Sequence, residues 1–108
     1  MFPARVQQAS ADVLVALFDS GLVPEALALA AELRAAGVRV EVYPDVDKLG
    51  KQMKYAAGKS IPFAAILGSD EIARAEVTVK NLQSGEQQSV ARGQVAQWIH
   101  PPRIADNG

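Results

Sequence analysis

Residues 45–71 read DVDKLGKQMKYAAGKSIPFAAILGSDE, and the change of period inside this stretch decides the fold. Lys48, Lys51, Gln52 and Tyr55 follow the spacing of one helix face, while Leu49, Met53 and Ala56 share another face that must pack. Asp47 is positioned to cap the start of this helix and Gly58 to end it. The Ser60-Ile61-Pro62 corner then breaks the helical period. Residues 63–67 (FAAIL) are apolar without interruption, the pattern of a strand covered on both faces and therefore central in a sheet. Where that strand stops, Gly68-Ser69-Asp70-Glu71 makes a turn, with a single helical turn expected over 69–73.

Upstream, residues 12–18 (DVLVALF) form a second apolar run and a second central strand. A loop over 19–21 leads into a helix with Pro24 in its first turn, Glu25 at the positive end of its dipole, and a buried stripe of Ala26, Leu29, Ala30 and Leu33. Gly37 is a left-handed stop after Ala36. Residues 38–43 (VRVEVY) alternate strictly, which places this strand at an edge with one exposed side. Strand, helix and strand make a βαβ unit with parallel strands and a right-handed crossover.

Downstream, 76–81 (EVTVKN) alternate, 82–85 carry a Ser-Gly turn that reverses the chain, and 86–90 complete a hairpin. A last helix over 93–99 buries Val95, Trp98 and Ile99. The elements sum to an α/β fold over residues 12–100: a three-layer α/β/α sandwich with a mixed five-stranded sheet. Residues 1–11 are expected to be a linker or arm, and 101–108 a disordered tail. In such sheets ligands dock beyond the carboxyl ends of the parallel strands, where segments 19–22, 43–48 and 68–71 converge.

Composition narrows the chemistry. The chain has 108 residues, enough for one domain with one core, and 49% of them are hydrophobic. No apolar run approaches the roughly 20 residues of a membrane helix, and no targeting peptide is visible, so a cytoplasmic protein is expected. There are no cysteines, which excludes disulfides and thiolate chemistry. The one histidine, His100, is beside Pro101 and Pro102 and reads as part of the tail, so neither a catalytic triad nor a metal site is expected. Neither glycine-rich phosphate loop follows the first strand. Asp45 with Asp47, or Asp70 with Glu71, are the acidic pairs available for acid–base work, but loop carboxylates of this kind also serve as caps. A receiver domain would need an acidic cluster where only Asp19 stands. The net charge of -1 argues against strong non-specific binding to nucleic acid, so any RNA affinity must rest on base contacts.

The polar face of the 48–55 helix offers cations, an amide and an aromatic ring beside a strand end, a set suited to phosphates and unstacked bases; taken alone, these residues read first as a plain solvated face. The ordered strings Lys51–Ala56 (KQMKYA), Ile61–Phe63 (IPF), Ile66–Glu71 (ILGSDE) and Val77–Gln87 (VTVKNLQSGEQ) discriminate further. Together they resemble the C-terminal anticodon-binding domain of class IIa aminoacyl-tRNA synthetases, most closely the histidyl members, over roughly residues 12–99. That resemblance implies the same mixed α/β sandwich and recognition of the tRNA anticodon loop by Tyr43, Asp45, Asp47, Lys48, Lys51, Gln52, Tyr55, Glu71 and Lys80. In this scheme Glu71 accepts from a base, the lysines meet phosphates or base carbonyls, and a tyrosine stacks.

Two positions depart from the family pattern. Gly68-Ser69-Asp70-Glu71 stands where Gly-Glu-Asp-Glu is common, and Ala57 where an aspartate usually follows Tyr-Ala. The resemblance further implies a fragment without a catalytic site, whose parent is an ATP-dependent histidine–tRNA ligase. ATP and magnesium would belong to that parent's catalytic domain, so no cofactor is expected here. The expected partners are the tRNA anticodon stem-loop and the catalytic domain, with no DNA and no membrane, and the isolated domain is expected to be monomeric. The alternative is a regulatory or dimerisation domain of a synthetase paralogue that no longer reads tRNA.

Overall fold

A computed structural model describes residues 11–100, so the tail expected over 101–108 and all of the expected arm except Ala11 lie outside the described residues. The apolar run at 12–18 supplies β1 (Val13–Val15), which pairs in parallel with β2 (Val40–Val42) on one side and β3 (Phe63–Ile66) on the other. β4 (Glu76–Asn81) runs antiparallel to β3 and β5 (Gln87–Ala91) antiparallel to β4, so the sheet order is β2-β1-β3-β4-β5. The alternating 38–43 segment is an edge, and the two apolar runs are interior, as their patterns require. Regular pairing of β1 stops early, yet Ala16 and Leu17 remain buried and the Ala16 amide still donates to Ala65 O at 3.0 Å.

Successive side chains of a strand alternate between faces, and the register makes the two faces unequal. Val13, Val15, Ala65, Val77, Val79 and Val90 pack with α1 (Val23–Ala35) and α4 (Val95–Ile99) in the main core. The expected stripe of Ala26, Leu29, Ala30 and Leu33 is the face that α1 buries. Val95 and Ile99 are buried, while Trp98 is only half-buried, edge-on to Phe63 with ring centroids 5.4 Å apart. The opposite face carries a smaller cluster in which Leu14 and Tyr43 meet Ala56 of α2 (Leu49–Gly58) and Ile61. Ala11 is buried in this cluster too.

Helix ends show which local signals governed. After α1, Gly37 takes φ 90°, its amide donates to Arg34 O at 3.0 Å, and Val38 N donates to Leu33 O at 3.0 Å. This is the Schellman closure expected of a glycine at that position. α2 ends at Gly58 as expected, but the same closure is made by Ser60, two residues on, and not by the glycine. Ser60 adopts φ 60°, and Ile61 N donates to Ala56 O at 2.9 Å. The closure settles there because it folds Ile61 onto Ala56, both of them fully buried. A further single turn, α3 (Ser69–Ala73), forms where the sequence places it and lies beside β4.

Candidate nucleic-acid interface

The carboxyl ends of β1, β2 and β3 share one rim, and the 44–48 loop bends back across the end of β1. Two groups, the Asp47 amide and the Gln52 side chain, hold it there. Asp47 N donates to Leu17 O at 3.0 Å. Gln52, reaching up from the first turns of α2, accepts from Leu17 N and donates to Leu17 O and Asp47 O, each at 2.8 Å. Its amide behaves as an extra peptide unit that continues the pairing where β1 has run out of neighbours.

Gln52 is fully buried, so helical spacing misassigned it to the polar face. The buried side of α2 is centred on Gln52 and Ala56, with Leu49 and Met53 only half-buried on its flank. Asp47 also differs from its expected role. Lys48 occupies the cap position, and Asp47 uses one carboxylate oxygen on Lys48 N (2.8 Å) and the other on Lys51 Nζ (3.1 Å). These bonds, the Lys48 amide first and then Lys51, hold the Asp47 carboxyl below the ordinary aspartate range. Lys48, Lys51 and Asp45 are exposed at this rim. So are two large apolar side chains, Val46 (43% exposed) and Phe18 (36%); Phe18 was expected in the doubly covered strand, but β1 ends at Val15 and leaves it at the rim.

Glu71 is the most constrained acidic group of the rim. Its Oε1 accepts from Gly68 N at 2.9 Å, the returning half of a capping box, and its Oε2 accepts from the Thr78 hydroxyl of β4 at 3.0 Å. A Cβ at position 68 would stand 2.6 Å from that Oε1 and 3.4 Å from Phe18 Cζ, so glycine is what lets the carboxylate close onto its own backbone. Burial raises the Glu71 carboxyl, but the Thr78 hydroxyl, the Glu71 and Gly68 amides and the charge of Arg74 outweigh it, and the net result lies below the ordinary glutamate range.

A depressed folded-state pKa stabilises the fold above the unfolded value and is lost as pH falls through the folded one. Glu71 and Asp47 therefore contribute fully at neutral pH and lose that contribution progressively as pH falls below about 4. Urea midpoints are expected to be flat from pH 7 to about pH 5 and to drop in more acidic buffer. Glu71→Gln should shrink that drop; an identical acid profile for the variant would remove Glu71 as its source.

The tyrosines are turned inward more than their positions in the sequence suggest. Tyr43 is buried, 8% exposed, and meets Tyr55 edge-on at 5.2 Å. Alternation correctly puts Glu41 and Tyr43 on one face, but that face is the one α2 covers. The half-buried Tyr55 donates its hydroxyl to Glu41, and Lys59 Nζ lies 5.2 Å from its ring centroid. Lys80 pairs in register with Ala64, and Thr78 with Ile66. Lys80 thus shares a face with Thr78 but lies two residues, about 7 Å, farther from the rim.

Among the described residues no three His, Cys, Asp or Glu side chains gather where one metal ion could be held. His100 is not tail-like: its amide closes α4 on Ala96 O at 2.8 Å, and its Nε2 is 3.3 Å from Asp12, which also binds Arg39. That group stands at the amino end of β1, the far end of the sheet from the rim.

The sequence model of a family described as "Anticodon binding domain" matches residues 12–100. The chain belongs to the anticodon binding domain family. Among its relatives, the histidine–tRNA ligase of Cytophaga hutchinsonii is 40% identical over 95 residues, which is 88% of this chain and 21% of that protein. That of Bacteroides fragilis is 46% identical over 75 residues, 69% of this chain and 15% of its own length. The crystal structure of histidyl-tRNA synthetase from Nostoc sp. PCC 7120 superposes with a TM-score of 0.81 at 38% identity, covering 83% of this chain and 22% of that one. This anticodon binding domain therefore spans between about a seventh and a fifth of the length of the histidine–tRNA ligases it matches. The family assignment agrees with the resemblance read from the strings at 51–56, 61–63, 66–71 and 77–87, and with the sandwich built from hydrophobic period alone.

Proposed function

We propose that this domain reads the anticodon loop of a transfer RNA as the C-terminal part of a histidine–tRNA ligase. The reading rests above all on one juxtaposition: in a chain of this family, an ionised and doubly tethered carboxylate, Glu71, shares a rim with the exposed Lys48, Lys51 and Phe18. A carboxylate accepts from base N–H groups, lysines meet phosphates, and an exposed phenylalanine offers a stacking surface for an unstacked base. Lys80, on the same sheet face as Thr78, extends the cationic reach below the rim. Gln52 and Tyr43 serve the site by shaping it, since both are buried.

The attachment of histidine, with its ATP and magnesium, is assigned to the remainder of the parent enzyme. The domain by itself is taken to be monomeric, and the enzyme to act in the cytoplasm, where its tRNA is used. With a net charge of -1, its affinity for RNA should be modest and should depend on the bases.

The test is fluorescence anisotropy with a labelled histidine-tRNA anticodon stem-loop and one of altered anticodon. Three lysine–phosphate contacts predict a loss of about 20-fold between roughly 50 and 200 mM salt, and weaker binding to the altered loop. Equal binding to both loops would instead favour a domain kept for packing or regulation, and no binding to either would end the RNA reading.

A further inference from the structure

We infer that Thr78 is a positioning residue for base discrimination, acting through Glu71 without touching RNA itself. The inference deepens the anticodon reading and rests on it. Thr78 sits in the middle of β4, paired with Ile66 on one side and Ser89 on the other, and is 9% exposed. It is the polar residue between the core residues Val77 and Val79, so alternation turns its side chain to the opposite face, toward Glu71. A β-branched side chain on a strand paired on both sides has a stiff χ1, so the backbone sets the direction of the hydroxyl. Against a carboxylate that hydroxyl can only donate.

The consequence concerns what Glu71 has left to offer. An ionised carboxylate has about four acceptor sites on its two oxygens. Gly68 N takes one on Oε1 at 2.9 Å and Thr78 takes one on Oε2 at 3.0 Å, with the Glu71 amide also against the carboxyl, so acceptor capacity remains and the carboxylate plane is held from two directions. With the Thr78 tether gone, the carboxylate keeps only the backbone amides of its own turn, and Oε2 has no partner to fix its direction. A loosely held carboxylate still attracts any donor or cation, whereas a fixed one rewards only a base edge whose N–H groups match its direction. Thr78 therefore governs discrimination between anticodons more than affinity for RNA.

The substitutions are Thr78→Val, which keeps the shape and removes the hydroxyl, and Thr78→Ser, which keeps the hydroxyl. Each is measured in the full chain, alone and combined with Glu71→Ala, against histidine-tRNA stem-loops with each anticodon position changed in turn. For Thr78→Val, the ratio of affinities between the cognate and altered loops should fall about tenfold, the worth of one charge-assisted hydrogen bond. Binding to the altered loops should stay within about twofold and the thermal midpoint within a few degrees. Thr78→Ser should restore the ratio, and Thr78→Val should add nothing once Glu71 is alanine.

A wild-type chain that discriminates beside a Thr78→Val variant that discriminates equally well would overturn the positioning role and leave the anticodon reading standing. Failure of serine to restore the ratio, or an additive effect in the Glu71→Ala background, would overturn it as well. A wild-type chain with no discrimination would sink both ideas together.

Discussion

Replacing Gln52 by leucine should lower the unfolding free energy by about 2–4 kcal/mol, although leucine is more apolar and helix-compatible and the site is fully buried. The loss comes from what the amide leaves behind. Leu17 N has Gln52 Oε1 as its partner at 2.8 Å, and Leu17 is buried, so leucine at 52 leaves that amide without an acceptor. Leu17 O keeps a second donor, Asp47 N, but Asp47 O loses the Gln52 amide. A buried donor without an acceptor costs roughly 1–3 kcal/mol, and the loosened 44–48 loop adds to it. Denaturation by urea, with hydrogen exchange at Leu17, measures both parts. A stability change under about 1 kcal/mol, or unaltered protection at Leu17, would show that packing alone holds the loop. Lys48 and Lys51 follow that loop, so RNA affinity should fall with it.

Removing the Glu71 carboxylate by alanine should weaken binding to the cognate anticodon stem-loop by about 1–3 kcal/mol, bringing it close to the level of an altered loop. The same change removes the tie to Gly68 N and frees Thr78, so a stability loss of about 1 kcal/mol accompanies it. Titrations are best done well below the melting transition, where that loss leaves the fold intact. Selectivity separates base contact from simple charge: lysine substitutions at phosphate contacts weaken every loop alike, whereas loss of a base contact erases the difference between loops. An equal drop on cognate and altered loops after Glu71→Ala would assign this carboxylate to helix capping alone.

Much of this was legible before any coordinates. The apolar runs at 12–18 and 63–67 are interior strands, the alternating 38–43 run is an edge, and the α1 stripe and the Gly37 closure fall where spacing and backbone chemistry put them. The rim was legible too, because βαβ topology sends the loops after parallel strands to one end. Individual directions were not. Gln52 is polar and sits among lysines, so spacing grouped it with them. It faces inward because β1 loses its regular partners near Leu17 and the amide fills that gap. Tyr43 alternates as an edge residue should, and what buries it is the path of α2 over that face. His100 beside two prolines looked terminal, yet it meets Asp12 from the other end of the chain.

By itself the sequence determined the order and type of the elements, the mixed sandwich, the end of the sheet where the loops after the parallel strands converge, and the family. Hydrophobic period, turn residues and short strings are local properties, and they survive without knowledge of neighbours. Only the tertiary structure decided which polar side chains stand exposed at the rim and which are taken up by the fold. It put Gln52 on Leu17, Tyr43 under Tyr55 and Thr78 on Glu71. The physical reason is that a buried donor or acceptor takes its partner from whatever the packing brings within hydrogen-bond reach, and no local spacing in the chain encodes that meeting.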